Sequence, residues 1–227
     1  MFRPGEHTMQ RAYGLDVPRT LEEVCDPRRL ALLVYDMQAG IFSMAPGLRS
    51  VIPTVTATIE AARATGVATF YVRHMSLPPG LMGVSQLRTA MAWQRLDDVS
   101  AVSSHFLRDS PGFQLILEVV PGPNEAVFDK LGMSAFAGTP LDMVLRDRGI
   151  WAVAMAGVVL EIGIAPTVSH ATDLGYVPVV IADACGSADD VARERALADI
   201  DYSHMSLTTD FETFRSLLER SSRTGAS

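Results

Sequence analysis

What most constrains this chain is a repeated alternation of short, continuously aliphatic runs with stretches whose apolar residues recur at helical spacing. The first run, LALLVYD at residues 30–36, carries no charge before its terminal Asp36, as a strand buried on both faces requires. Residues 48–65 then set Val51, Val55, Ile59 and Ala62 along one helical face, and Gly66 supplies a stop. VATFYVRH at 67–74 is a second apolar strand that delivers Arg73 and His74 at its end. Strand, helix and strand in this order form a βαβ unit, joined right-handed.

The regular pattern pauses over residues 75–122, where LPPG, a helical stretch around Trp93 and DSPG predict an excursion across the top of the sheet. It then resumes with EAVFDK, ending at Lys130, and a helix with Thr139 as cap and Pro140 in its first turn. IWAVAMAG at 150–157 is a fourth strand, followed by a helix that stops at Gly175. VPVVIAD, the helix DVARERALADI, the short strand SLTTD and the helix FETFRSLLER complete the chain. The expected fold class is α/β: a three-layer α/β/α, Rossmann-like arrangement with a six-stranded, mainly parallel sheet. Ligands of such sheets sit beyond the strand carboxyl ends. Asp36, His74, Lys130, the segment after Gly157, and Asp183 with Cys185 all fall there.

Composition narrows the function classes. At 227 residues with a net charge of −7, the chain offers no basic face for nucleic acid, and no apolar run approaches the ~20 residues that span a bilayer. Its two cysteines, Cys25 and Cys185, lie far apart, and no charged-then-apolar leader opens the sequence, so reduced thiols and a cytoplasmic location are expected. Residues 1–28 mix Pro, Gly and charge without a period and read as an N-terminal arm; residues 29–227 form the domain.

Three segments in this order carry a resemblance: LALLVYDMQ with Asp36; PGPNEAVFDKLGMSAFAGTPLDMVL with Lys130; and AGVVLEIGIAPTVSHATDLGYVPVVIADAC. The chain resembles the isochorismatase-like hydrolases, which include isochorismatases, nicotinamidases, carbamoylsarcosine amidases and ureidoacrylate hydrolases. The likeness runs from about residue 30 to 209. It implies that Asp36 and Lys130 are catalytic, although alone they read as a turn carboxylate and a loop lysine. It also implies that the position of the family's nucleophilic Cys is held by Gly163, aligned through Gly157, Val158 and Thr167. The implied picture is an acid and an ammonium facing one another across a hollow from which the sulfur is missing.

A Gly at that position is similar to the true isochorismatases, which cleave a vinyl ether by protonation and water addition and need no thioester. The resemblance further implies a cis peptide near Val158 and Val159, with backbone donors from Val159 and Gly163. Gln38, Phe42, His74, Trp93, Phe136 and Glu161 are the candidate substrate-lining residues; the competing readings are core packing for Phe42 and Phe136, a dimer interface over Trp93, a hydrogen-bonded structural role for His74 and a carboxylate favoured by the helix start for Glu161. Leu160 and Glu161 stand where true isochorismatases have a small residue and His, which speaks against isochorismate itself. RHMSLPPG lacks the second His of the nicotinamidase metal pattern, so no metal and no other cofactor is expected. The expected partner is a small-molecule substrate, and the expected assembly a homo-oligomer, dimer or tetramer. Three functions stay open: a thiol-free hydrolase, a metabolite-binding or assembly member, and an amidohydrolase using another nucleophile such as Cys185.

Overall fold

The computed structural model describes residues 9–224. The first eight residues of the expected arm lie outside them. The rest of the arm is a hairpin of β1 (Gln10–Ala12) and β2 (Leu15–Val17), antiparallel, followed by the short helix α1 (Leu21–Val24). Its two-residue turn, Tyr13–Gly14, has positive φ at both positions (55° and 81°), the conformation that matches the twist of a hairpin. Val24 and Cys25 are fully buried, so the end of this segment belongs to the core.

Six further strands form one sheet: β3 (Leu30–Tyr35), β4 (Ala68–His74), β5 (Ala126–Lys130), β6 (Ala152–Val158), β7 (Val177–Gly186) and β8 (Leu207–Thr209). Their order is β5-β4-β3-β6-β7-β8, and every neighbouring pair is parallel. β3 is buried at all six positions because it lies in the middle, with β4 on one side and β6 on the other. The chain builds outward through β4 and β5, then returns to the far side of β3 with β6. That reversal opens a crevice at the carboxyl ends of β3 and β6.

The remaining helices are α2 (Ala39–Met44), α3 (Ile52–Thr65), α4 (Val84–Gln94), α5 (Leu141–Asp147), α6 (Ala165–Asp173), α7 (Asp190–Ser203) and α8 (Phe211–Thr224). Side chains of a strand alternate between faces, and β3 divides its residues accordingly. Leu30, Leu32 and Val34 pack with Val55 and Ile59 of α3 and with Phe214 and Leu218 of α8. Ala31, Leu33 and Tyr35 pack on the other face with Leu145 of α5, Val168 of α6 and Ile200 of α7. Tyr35, the last residue of β3, is thereby turned toward α6. Asp183 is used structurally: β7 runs past it, and its carboxylate accepts from Phe211 N–H at 2.8 Å, at the start of α8. No helix of the described residues is long and apolar enough to cross a membrane.

Candidate active site

Asp36 directly follows β3, and its φ of +47° is a sparsely populated conformation for a non-glycine residue. Its N–H still donates to Val72 O at 3.0 Å, so the β-ladder with β4 holds the backbone while the side chain turns out of the sheet. Lys130 ends β5 and pairs in register with His74 on β4. Its ammonium donates to Asp36 Oδ2 at 2.8 Å, and the two side chains are 1% and 9% exposed. The same ammonium lies over the Tyr35 ring, 4.5 Å from its centroid. Asp36 Oδ1 is buried without a hydrogen-bond partner among the described residues. Burial pushes the Asp36 carboxyl up to about 6, against the opposing pull of Lys130 and, more weakly, of the His74 backbone N–H.

Opposite the pair, β6 runs through a cis peptide between Val158 and Val159 into one π-helical turn, Leu160–Ile164, and then α6. Gly163 is buried on this turn. Its N–H donates to Val159 O at 2.9 Å, so the backbone donor expected to face a substrate already has a partner. The hollow expected in front of Gly163 is filled: Tyr35 Cζ and Oη lie 2.9 and 3.1 Å from where a Cβ on Gly163 would stand. The cause is the strand alternation that sends Tyr35 to the α6 face. Its hydroxyl donates to Met133 O and lies 3.3 Å from Thr167 Oγ1. Burial, with the nearby Asp36 charge, pushes the Tyr35 phenol well above its ordinary range. Thr167 completes the wall by accepting from Ala135 N–H at 3.1 Å and donating to Gly163 O at 2.8 Å.

The other candidate residues do not converge on one place. His74 and Trp93 line a cavity of ≈ 600 Å³ beside the pair, with Met75, Phe106, Leu131 and Met133 also in its wall. Asp36 and Lys130 are not among its lining residues, although His74, which pairs with Lys130 in the sheet, and Leu131, which follows it, both are. The His74 ring meets Phe106 edge-on at 5.6 Å, and burial, helped by the Lys130 charge, lowers it to about 4, so it is neutral at pH 7. Gln38 is fully buried and acts as a clasp. Its amide donates to His74 O (3.0 Å) and Phe113 O (2.9 Å) and accepts from His74 N–H (2.7 Å), tying β4 to the excursion. Phe42 is buried in the α3/α8 core, and Phe136 stacks on Tyr176 at 5.6 Å on the opposite face. Glu161 sits half-buried on the π-helical turn, with Oε2 buried and unpartnered among the described residues.

Cys185 does not reach the site. Its Sγ is buried against Met155 O at 3.4 Å, and burial pushes the thiol up to about 12, which removes it as a thiolate nucleophile. Among the described residues no three His, Cys, Asp or Glu side chains are grouped to hold a metal ion. Sequence reasoning missed Tyr35, reading it as one more apolar residue of β3; the two-residue alternation of LALLVY was the signal that could have found it.

Comparison with known proteins agrees with this architecture. A cysteine hydrolase from Pseudomonas syringae pv. phaseolicola 1448A superposes with a TM-score of 0.73 at 23% identity, covering 86% of this chain and 94% of that one. An isochorismatase family protein from Desulfovibrio vulgaris subsp. vulgaris str. Hildenborough gives 0.72 at 23% identity, covering 85% and 99%. N-carbamoylsarcosine amidase from Thermoplasma acidophilum gives 0.66 at 24% identity, covering 81% and 96%. At these identities the likeness establishes the fold. Family assignment rests on the sequence itself: the isochorismatase domain matches residues 30–210, from the first residue of β3 to the residue before α8. The chain belongs to the isochorismatase family of hydrolases.

Proposed function

We propose that this protein hydrolyses a small, uncharged metabolite without a thiol, with Asp36 as general acid and then base, Lys130 as its electrostatic partner and water as nucleophile. The observation that carries this reading is the Asp36 carboxyl itself. One oxygen is held by Lys130 at 2.8 Å, and the other is buried and unpartnered among the described residues. A proton on Oδ1 relieves the carboxyl of a charge that burial disfavours, and a carboxyl raised to about 6 keeps that proton into the mildly acidic range. In the step proposed, Asp36 gives this proton to the substrate and water adds to the electrophilic carbon. The C–O or C–N bond then breaks with its electron pair leaving on the heteroatom, and the Asp36 carboxylate recovers a proton from the added water. The Lys130 ammonium favours the carboxylate formed in between.

The neighbouring cavity supports the substrate class. Among the described residues its wall carries no Asp, Glu, Lys or Arg, and His74 is neutral at pH 7. A carboxylate placed there would lose hydration and meet no Lys or Arg; the wall's second histidine, His105, is hydrogen-bonded to Ser103 Oγ at 3.0 Å. An enol ether, ureide or amide with an apolar body fits instead. Likeness to a carbamoylsarcosine amidase favours the last two and cleavage without a thiol favours the first. The test is a panel of vinyl ethers, ureides and small amides assayed with wild type and Asp36→Asn. Turnover of any member that vanishes in Asp36→Asn is the expected result; turnover unchanged in that variant contradicts the proposal.

One observation favours a second reading, a member that binds a metabolite without turning it over: Tyr35 occupies the room in front of Gly163, and Asp36 is not among the residues that line the cavity. A metabolite co-purifying with the chain and released intact on denaturation would support it. Assembly as a homo-oligomer in the cytoplasm is part of the proposal, supported by Tyr13, Leu15 and Val17, which stand exposed on the hairpin; size-exclusion chromatography with light scattering reads the number of copies.

A further inference from the structure

Tyr35 and Gly163 are fitted to one another. The Tyr35 ring is fully buried and is held on several sides: its hydroxyl donates to Met133 O, Thr167 Oγ1 lies 3.3 Å from the Tyr35 hydroxyl oxygen, and the Lys130 ammonium covers its face. It cannot swing away without vacating a packed core and leaving the Met133 carbonyl unpartnered. Gly163 is helical, outside the positive-φ positions, so its backbone does not demand a glycine. What demands one is the ring, which stands within 2.9 Å of any Cβ at that position. Cβ atoms essentially never approach other heavy atoms so closely.

We propose that Tyr35 is the residue that decides the reaction class at this site: its ring excludes every side chain, and hence every side-chain nucleophile, from position 163, and so commits hydrolysis to water. The word hydrolysis rests on the reading given under Proposed function; the exclusion itself does not. A residue of leucine size at position 35 frees the room and makes position 163 permissive. The exclusion belongs to the ring, not to the hydroxyl, so phenylalanine preserves it.

The experiment is a double-mutant cycle read by urea unfolding, with Gly163→Ala introduced into wild type, Tyr35→Phe and Tyr35→Leu. In wild type and Tyr35→Phe the alanine is expected to lower the urea midpoint clearly. With Tyr35→Leu it is expected to leave the midpoint unchanged or raise it, because alanine is the better helix former. An equal loss in all three backgrounds overturns the proposal. A chemical readout accompanies it: Gly163→Cys, alone and combined with Tyr35→Leu, is exposed to iodoacetamide at pH 7 and the adduct is mapped by mass spectrometry. Labelling at position 163 at least tenfold faster in the double variant is expected. Equal rates in folded single and double variants overturn the proposal. Neither measurement needs a substrate, so a failed cycle counts against Tyr35, whereas unchanged turnover in Asp36→Asn counts against the acid mechanism.

Discussion

The Asp36 carboxylate and the Lys130 ammonium meet 2.8 Å apart although 94 residues separate them in sequence. Two features bring them together. Asp36 directly follows β3 and Lys130 ends β5, and the intervening β4 keeps both strand ends in register. A pair so deeply buried is weak evidence for stability, because the desolvation of two ions offsets their attraction. Its place beyond the carboxyl ends of the strands is where ligands of such sheets bind, which agrees with the acid role proposed for Asp36.

Replacing Asp36 by Asn keeps the shape and removes the transferable proton. Turnover of any accepted substrate is expected to fall by about 10²–10⁴-fold, the usual worth of general acid–base catalysis. Circular dichroism should be unchanged, and steady-state kinetics on the substrate panel checks the fall.

Lys130→Met leaves Asp36 buried without its cation. At pH 7.5 the loss of stability is expected to be about 3–5 kcal/mol, the range for breaking a buried pair from one side. It should shrink at pH 5, where Asp36 takes up a proton and sheds the uncompensated charge. Urea unfolding at the two pH values reads the difference.

Asp36 also makes stability depend on pH in a stated direction. Its folded-state carboxyl, at about 6, lies above the ordinary value of 3.8, so between these limits the folded state binds more protons than the unfolded one. Its contribution is therefore fully present below about pH 4 and is lost as pH rises through about 6. Wild type should lose stability relative to Asp36→Asn across that interval, as thermal melts of both proteins would show.

Gln38→Leu removes three hydrogen bonds and strands the His74 N–H and the His74 and Phe113 carbonyls. A cost of about 1–3 kcal/mol per buried group left unpaired is expected, with faster amide exchange at His74. Hydrogen exchange followed by NMR checks both the size and the location.

Much of this was legible in the sequence, for physical reasons. A strand buried on both faces must be an apolar run, so β3, β4, β6 and β7 stood out; the half-buried edge strands β5 and β8 followed from the strict alternation with helices, which also required the parallel sheet that gathers Asp36, His74 and Lys130 at one end. Less legible was whatever depends on which way a side chain turns. Gln38 follows Asp36 by two residues and reads as substrate-lining, yet it is turned into the wall as a clasp. Phe42 and Phe136 lie on opposite faces of the sheet, a distinction that needs the helix packing. Tyr35 is the largest omission: its role depends on the β3–β6 pairing that sets it beside Gly157 and in front of Gly163, and neither partner is near it in sequence.

Carbon-13 NMR titration of the Asp36 side-chain carboxyl tests the central claim most directly. The acid mechanism predicts a midpoint near 6 in wild type and a higher one in Lys130→Met, where the neighbouring cation no longer favours ionisation. A midpoint at or below 3.8 would mean that Asp36 is a permanent carboxylate with no proton to give, and would contradict it.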